Sequence, residues 1–255
     1  MKILKYILFS LLLIFFVEVI LPTDVEAVLN PRMIKDINED GEGSGLISPI
    51  VLGTNIYFRA TDGIHGNELW KSDGTEGGTV MIKDIYPGTN NGNPANIVSI
   101  GSTIFFSATN GTNGTELWKS DGTESGTVMV KDIYSGAMSG NPLYLVVAGT
   151  VVYFTASDGT NGTELWKSDG TESGTVMVKN IYSGSSSSSP FYLTAVGLEV
   201  YFRATNGTNG VELWKSDGTE SGTVMVKDIY SGASSSGPNN LKAFDSGLYF
   251  SATNG

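Results

Sequence analysis

The acidic side chains are the groups most able to do chemistry here, and they come in regular sets. Glu68, Glu116, Glu164 and Glu212 form one; Asp73, Asp121, Asp169 and Asp217 form another; Asp62, Asn110, Asp158 and Asn206 precede the first by six residues. Carboxylates gathered in space could hold Ca²⁺, which takes six to eight oxygen ligands, or act as the acid and base of a glycosidase. The spacing argues for something plainer. Each Asp of the second set is followed by Gly, a common turn pair, and no Asp-x-Asp-x-Asp run gathers carboxylates on one ion. A weak cation site between Asp62 and Glu68 is conceivable in a hairpin, but Asn at two of the four equivalent positions halves its charge. Catalysis needs one asymmetric constellation, whereas every one of these carboxylates recurs. His65 is the only histidine, with Asn113, Asn161 and Asn209 at the matching positions, and there is no cysteine. Neither a zinc site of usual composition nor a histidine-based triad can be assembled. No catalytic residue, metal or cofactor is expected.

The elements that carry these side chains are copies of one another. Glu-Leu-Trp-Lys-Ser-Asp-Gly-Thr begins at Glu68, Glu116, Glu164 and Glu212, so Trp70, Trp118, Trp166 and Trp214 recur every 48 residues. A fixed period of this length means one structural unit repeated. The four Trp could form a stacking platform for sugars, but a large apolar side chain at one fixed strand position more simply fills the same gap in every unit.

Each unit reads as four short β-rich runs, in the first Leu46 to Leu52, Asn55 to Thr61, Glu68 to Ser72 and Thr79 to Ile85. Gly53-Thr54, Gly101-Ser102 and Gly149-Thr150 are two-residue links of hairpin type. Ile56 to Thr61 is rich in β-branched and aromatic residues, and no window sustains a period of 3.6. Four strands per unit of this size is the pattern of a β-propeller blade. The fold class is therefore all-β, a propeller-like repeat with the first strand of each unit innermost; the alternative is an open solenoid of hairpins. Complete units are expected at 46–86, 94–134, 142–182 and 190–230, with a partial one at 238–255 and an N-terminal strand at 32–37. That strand could supply the outer strand of the partial unit. A fragment of a longer reading frame, or less simply an irregular five-bladed ring, would explain the unfinished unit.

The 255 residues carry 33 Gly, no Cys and a formal net charge of −11. Such acidity argues against nucleic acid or an anionic membrane surface as partner. Lys2 and Lys5 precede an apolar run from Ile7 to Val17, and Val25-Glu26-Ala27 offers small residues for a signal peptidase. The run is shorter than the roughly 20 residues of a spanning helix. Residues 1–27 are thus expected to be a signal peptide cut after Ala27, leaving a repeat domain at 28–255, secreted or at the cell surface and without a membrane segment.

In its Glu-Leu-Trp-Lys-Ser-Asp-Gly-Thr motifs the chain resembles the bacterial ELWxxDGT repeat proteins, over about residues 32–255. The resemblance implies a secreted or surface protein with a propeller-like domain and brings no established activity and no site residues. Function must then be sought where otherwise similar copies differ, in the loops between units and in the first strands. Asn90, Asn91, Ser139, Asn141, Phe191 and Tyr192 are the candidate binding residues, a mix of polar groups and aromatics suited to a glycan or an extracellular protein. A non-enzymatic binding module is expected, with a carbohydrate-active enzyme or a structural spacer as the alternatives.

Overall fold

The computed structural model describes residues 32–255 and, before them, the backbone of two strands, β1 (Ile3–Ile7) and β2 (Phe15–Ile20). The signal-peptide reading of residues 1–27 otherwise lies outside the described residues. Among those described there is no helix long and apolar enough to cross a membrane.

After β3 (Arg32–Met33) come four four-stranded antiparallel sheets in chain order. The first is β4 (Ile47–Leu52), β5 (Asn55–Ala60), β6 (Glu68–Ser72) and β7 (Val80–Lys83). The second is β8 (Ala95–Ile100), β9 (Thr103–Thr109), β10 (Thr115–Ser120) and β11 (Val128–Lys131). The third is β12 (Leu143–Ala148), β13 (Val151–Ser157), β14 (Thr163–Ser168) and β15 (Val176–Lys179). The fourth is β16 (Phe191–Val196), β17 (Glu199–Ala204), β18 (Glu212–Ser216) and β19 (Val224–Lys227). A two-stranded sheet, β20 (Asn239–Phe244) and β21 (Gly247–Ser251), ends the chain. The predicted units and the two-residue hairpin links are all present. Gly takes positive φ at the first link residue of the first four hairpins, and Asp245 does so in the fifth.

The first strands β4, β8, β12, β16 and β20 lie against one another in sequence, so they form the inner edge of the array. This is a propeller-type arrangement in which the sheets do not close into a ring. Sheet packing is face to face. Tyr57, Leu69, Ile82 and Ile85 of the first sheet bury against Ile104, Phe106, Ala108 and Trp118 of the second. The second meets the third through Phe105, Leu117, Val130 and Ile133 against Val152, Phe154, Ala156 and Trp166. The third meets the fourth in the same way, ending on Trp214. Trp118, Trp166 and Trp214 therefore fill the joints between sheets, Trp70 packs under Ile37, and all four are 5–6% exposed and not a platform.

The predicted N-terminal strand at 32–37 is shorter than expected, since only Arg32–Met33 pairs as a strand. Ile34 and Ile37 are nonetheless buried, and Ile37 packs on Phe58, Ala60 and Trp70. The segment stands where the fourth strand of a preceding sheet would stand. At the other end, Phe250 is 38% exposed, although its counterparts Phe58, Phe106, Phe154 and Phe202 are fully buried. Among the described residues no third strand lies beyond β21 to help cover it.

Candidate functional site

The repeated acidic residues are consumed by the fold. Each motif Glu is fully buried, and its carboxylate accepts backbone N–H groups from the connection to the next unit. Ile85 N–H donates to Glu68 Oε2 at 2.9 Å and Gly92 N–H to Oε1 at 2.7 Å. Ile133 and Gly140 do the same for Glu116. Ser188 and Ser236 replace those glycines in the last two units and add their hydroxyls, at 2.5 Å to Glu164 and 2.6 Å to Glu212. Burial outweighs these donors and pushes the Glu68 and Glu116 carboxyls up to about 7; burial raises Glu164 as well. Burial disfavours the charged form, and the N–H donors pull the other way.

The Asp set makes turns, as the Asp-Gly pairs suggested. Asp73 Oδ1 accepts from Thr75 N–H at 2.9 Å and from its hydroxyl at 2.7 Å, repeated at Asp121, Asp169 and Asp217. Those bonds hold the carboxyls below the usual Asp range. Asp62 does not face Glu68: its Oδ2 lies 2.7 Å from His65 Nδ1, and Glu68 is opposite Ala60. No group of three or more potential metal-ligating side chains occurs among the described residues. The motif Lys also works between sheets: Lys71, Lys119 and Lys167 donate to the carbonyls of Gly122, Gly170 and Gly218 in the next unit, at 2.7–2.8 Å.

The six candidate binding residues divide into two groups. Asn91 and Ser139 are structural. Asn91 Oδ1 accepts Asn67 N–H at 2.9 Å, and Ser139 Oγ accepts Thr115 N–H at the same distance. Ser187 and Ser235 repeat this bond, so the position anchors the loop before each third strand. Asn141 N–H bonds Thr115 O, with φ 49°. Asn90 is exposed, and its carbonyl is approached so closely by Gly66 that a Cβ there would collide. These four residues sit in the loops without forming a cluster.

Phe191 and Tyr192 are different. They begin β16, and the structure joins to them two residues not singled out in the sequence, Tyr144 and Arg203. The Phe191 ring stands edge-on to Tyr144 at 4.4 Å and to Tyr192 at 4.5 Å. The Arg203 guanidinium lies 5.0 Å from the centroid of both the Phe191 and Tyr192 rings, and Nη1 donates to Asn239 at 2.8 Å. A bulge explains this convergence. In each first strand the register slips, between Leu143 and Val146 in β12 and between Phe191 and Thr194 in β16. Bulges re-aim side chains. Here they force φ to 57° at Tyr144 and 58° at Tyr192. Positive φ is an outlier for bulky side chains and costs about 1–2 kcal/mol. Elsewhere the same corner holds Ser48, Asn96 or Asn240, smaller polar residues. In the second unit it closes on itself: Asn96 Nδ2 donates to Ser107 Oγ, which bonds Ala95 O. Tyr144 is 40% exposed, so the aromatic–arginine corner opens to solvent near the inner edge of the array. The sequence signal was there: position 203 is Arg where Ser107, Thr155 and Ser251 stand in near-identical copies, although Arg59 shares it.

No family model matches the chain, and no curated protein matches it. Among solved structures, the computationally designed protein Ika8 is similar with a TM-score of 0.51 at 16% identity, over 96% of this chain and 67% of that one. A puromycin hydrolase mutant gives 0.51 at 15% identity, over 84% of this chain and 33% of its own. Puromycin hydrolase itself gives 0.50 at 16% identity, over 78% and 32%. The chain thus spans about a third of those hydrolases. At such identities the likeness is one of fold, that of propeller-type repeated sheets.

Proposed function

We propose that this chain is an exported, non-enzymatic repeat module that binds a glycan through the corner formed by Tyr144, Phe191, Tyr192 and Arg203. The observation that carries the reading is the pair of tyrosines held at positive φ. Strain at bulky residues persists where the surrounding structure enforces it, and it clusters at ligand sites. The exposed Tyr144 ring and the half-buried Phe191 and Tyr192 rings, beside a guanidinium and the Asn239 amide, supply the apolar stacking and hydrogen bonding that a sugar ring needs. Export follows from the basic, apolar and small-residue order of residues 1–27. The non-enzymatic reading is supported by the motif glutamates, each buried on backbone donors and out of reach of a substrate, and by the aspartates of the second set, each held in a repeated turn. Membership among ELWxxDGT repeat proteins rests on the motif alone and fits this reading.

The test is a glycan array screened with the secreted chain and with a Y192N R203S variant, which installs the residues of the second unit's corner. Saturable binding that the variant loses, while its melting temperature is kept, supports the module. Binding only to an extracellular protein would change the ligand class. Turnover of a polysaccharide by both forms would overturn the reading.

A further inference from the structure

Each of the four complete units carries the carboxylate cradle described above, and the cradle repeats with the 48-residue period. Its donors are Ile85 and Gly92, then Ile133 and Gly140, Ile181 and Ser188, Ile229 and Ser236. One period earlier, the same positions are Ile37 and Ser44.

That earlier segment is folded in the same way. Lys35 Nζ donates to Thr79 O at 3.0 Å, as Lys83, Lys131 and Lys179 donate to Thr127, Thr175 and Thr223. Thr61 N–H bonds Ser44 O at 2.9 Å, as Thr109 N–H bonds Gly92 O. Gly45 has φ 59°, against 50° at Asn93 and 49° at Asn141. Asn38 sits against Gly63 where Tyr86 sits against Gly111. Among the described residues, however, no carboxylate meets Ile37 N–H or the Ser44 N–H and hydroxyl. The neighbouring strand edge accepts an antiparallel partner in the expected register. β2 pairs with β3 with Phe15 opposite Met33, as Trp70 is opposite Met81. Counting back two residues from Phe15, the distance from Trp70 to Glu68, gives Leu13, which has no carboxylate.

We infer that Ile37, Ser44 and the β3 edge form a docking site for one Glu-Leu-Trp-Lys-Ser strand from a further repeat unit, its Glu carboxylate seated on the Ile37 and Ser44 donors. An extended segment adding to a sheet edge takes affinity from main-chain bonds and specificity from side-chain pockets. Here the pocket selects a carboxylate, and the Ser44 hydroxyl makes it the Ser-containing version seen at Ser188 and Ser236. In the full chain β2 occupies the edge; in a chain beginning at Val28 the edge is open. The site does not involve the aromatic–arginine corner, so the two readings stand or fall separately.

The probe is a fluorescein-labelled peptide with the sequence of residues 210–222, titrated by anisotropy into the full chain and into the chain starting at Val28. Saturable binding is expected, tighter for the shorter chain. Replacing the peptide's glutamate by the change Glu212→Ala should weaken it at least tenfold. A Ser44→Pro chain, which lacks the N–H, should lose binding while melting as the parent does; should that variant unfold, the peptide pair decides alone. Equal affinity for the parent and Glu212→Ala peptides, absence of binding to either chain, or a self-associated dimer that the peptide leaves intact would each overturn the proposal.

Discussion

The outer and inner parts of each unit follow opposite rules. The third strands β6, β10, β14 and β18 share the sequence Glu-Leu-Trp-Lys-Ser and closely matched surroundings: a buried Glu on backbone donors, a buried Trp and, in the first three, a Lys reaching the next turn. The bulged starts of the first strands share a backbone but not its side chains: Asn96 and Ser107 close one corner, whereas Tyr192 and Arg203 open another. One region is repeated because every inter-sheet joint poses the same packing problem. The other is free to vary because its side chains reach solvent, and it spends stability on strain.

Four substitutions or conditions set this contrast against measurement. Trp166→Ala should cost the most, about 3–5 kcal/mol by denaturant unfolding, because it opens a cavity in a joint of fixed geometry. Glu116→Ala should follow at about 2–3 kcal/mol, since it leaves the Ile133 and Gly140 N–H groups buried without their acceptor. An effect no larger than that of an exposed Glu would break the assignment of the outer region as structural.

The pH dependence sharpens the same point. In the folded chain Glu68 and Glu116 hold their protons up to about 7, above the ordinary value of 4.5. The folded state therefore binds more protons than the unfolded one between those limits. Their contribution is complete below the ordinary value and is lost as pH rises through the folded one. Stability should fall from pH 5 to pH 8 by about 1–3 kcal/mol per carboxylate, read as a falling melting temperature. The turn aspartates have lowered values and lose their contribution only under more acidic conditions. A doubly substituted Glu68→Gln Glu116→Gln chain should flatten the profile.

The smallest effect belongs to the inner region and has the opposite sign. Tyr192→Gly relieves a positive φ and should leave stability unchanged or raise it by up to about 1 kcal/mol, while glycan binding falls. A loss of several kcal/mol would mean that Tyr192 is core and not a binding residue.

Much of the fold was legible because the repeat makes a weak strand signal appear several times in register. The Trp period, the two-residue hairpin links at Gly53, Gly101 and Gly149, and the turn role of Asp73 all follow from local chemistry. The candidate site was legible only in part. Variation between copies pointed to Phe191 and Tyr192, which the structure brings together with Tyr144 and Arg203, but it also drew in Asn91 and Ser139, whose polar side chains serve neighbouring backbone. Tyr144 and Arg203 were missed because their proximity to Phe191 depends on a bulge and on adjacent sheets, neither of which is encoded by spacing along the chain.

By itself, then, the sequence determined the unit: its period, its four strands and the side chains that fill its joints, since these depend on alternation, turn propensity and copy number. Only the tertiary structure decided that the motif carboxylates are buried on backbone donors, that the described sheets do not close into a ring, and that two bulges turn Tyr144 and Phe191 of adjacent sheets toward each other. Those outcomes depend on how faces 48 residues apart in sequence meet in space, and no local preference specifies them.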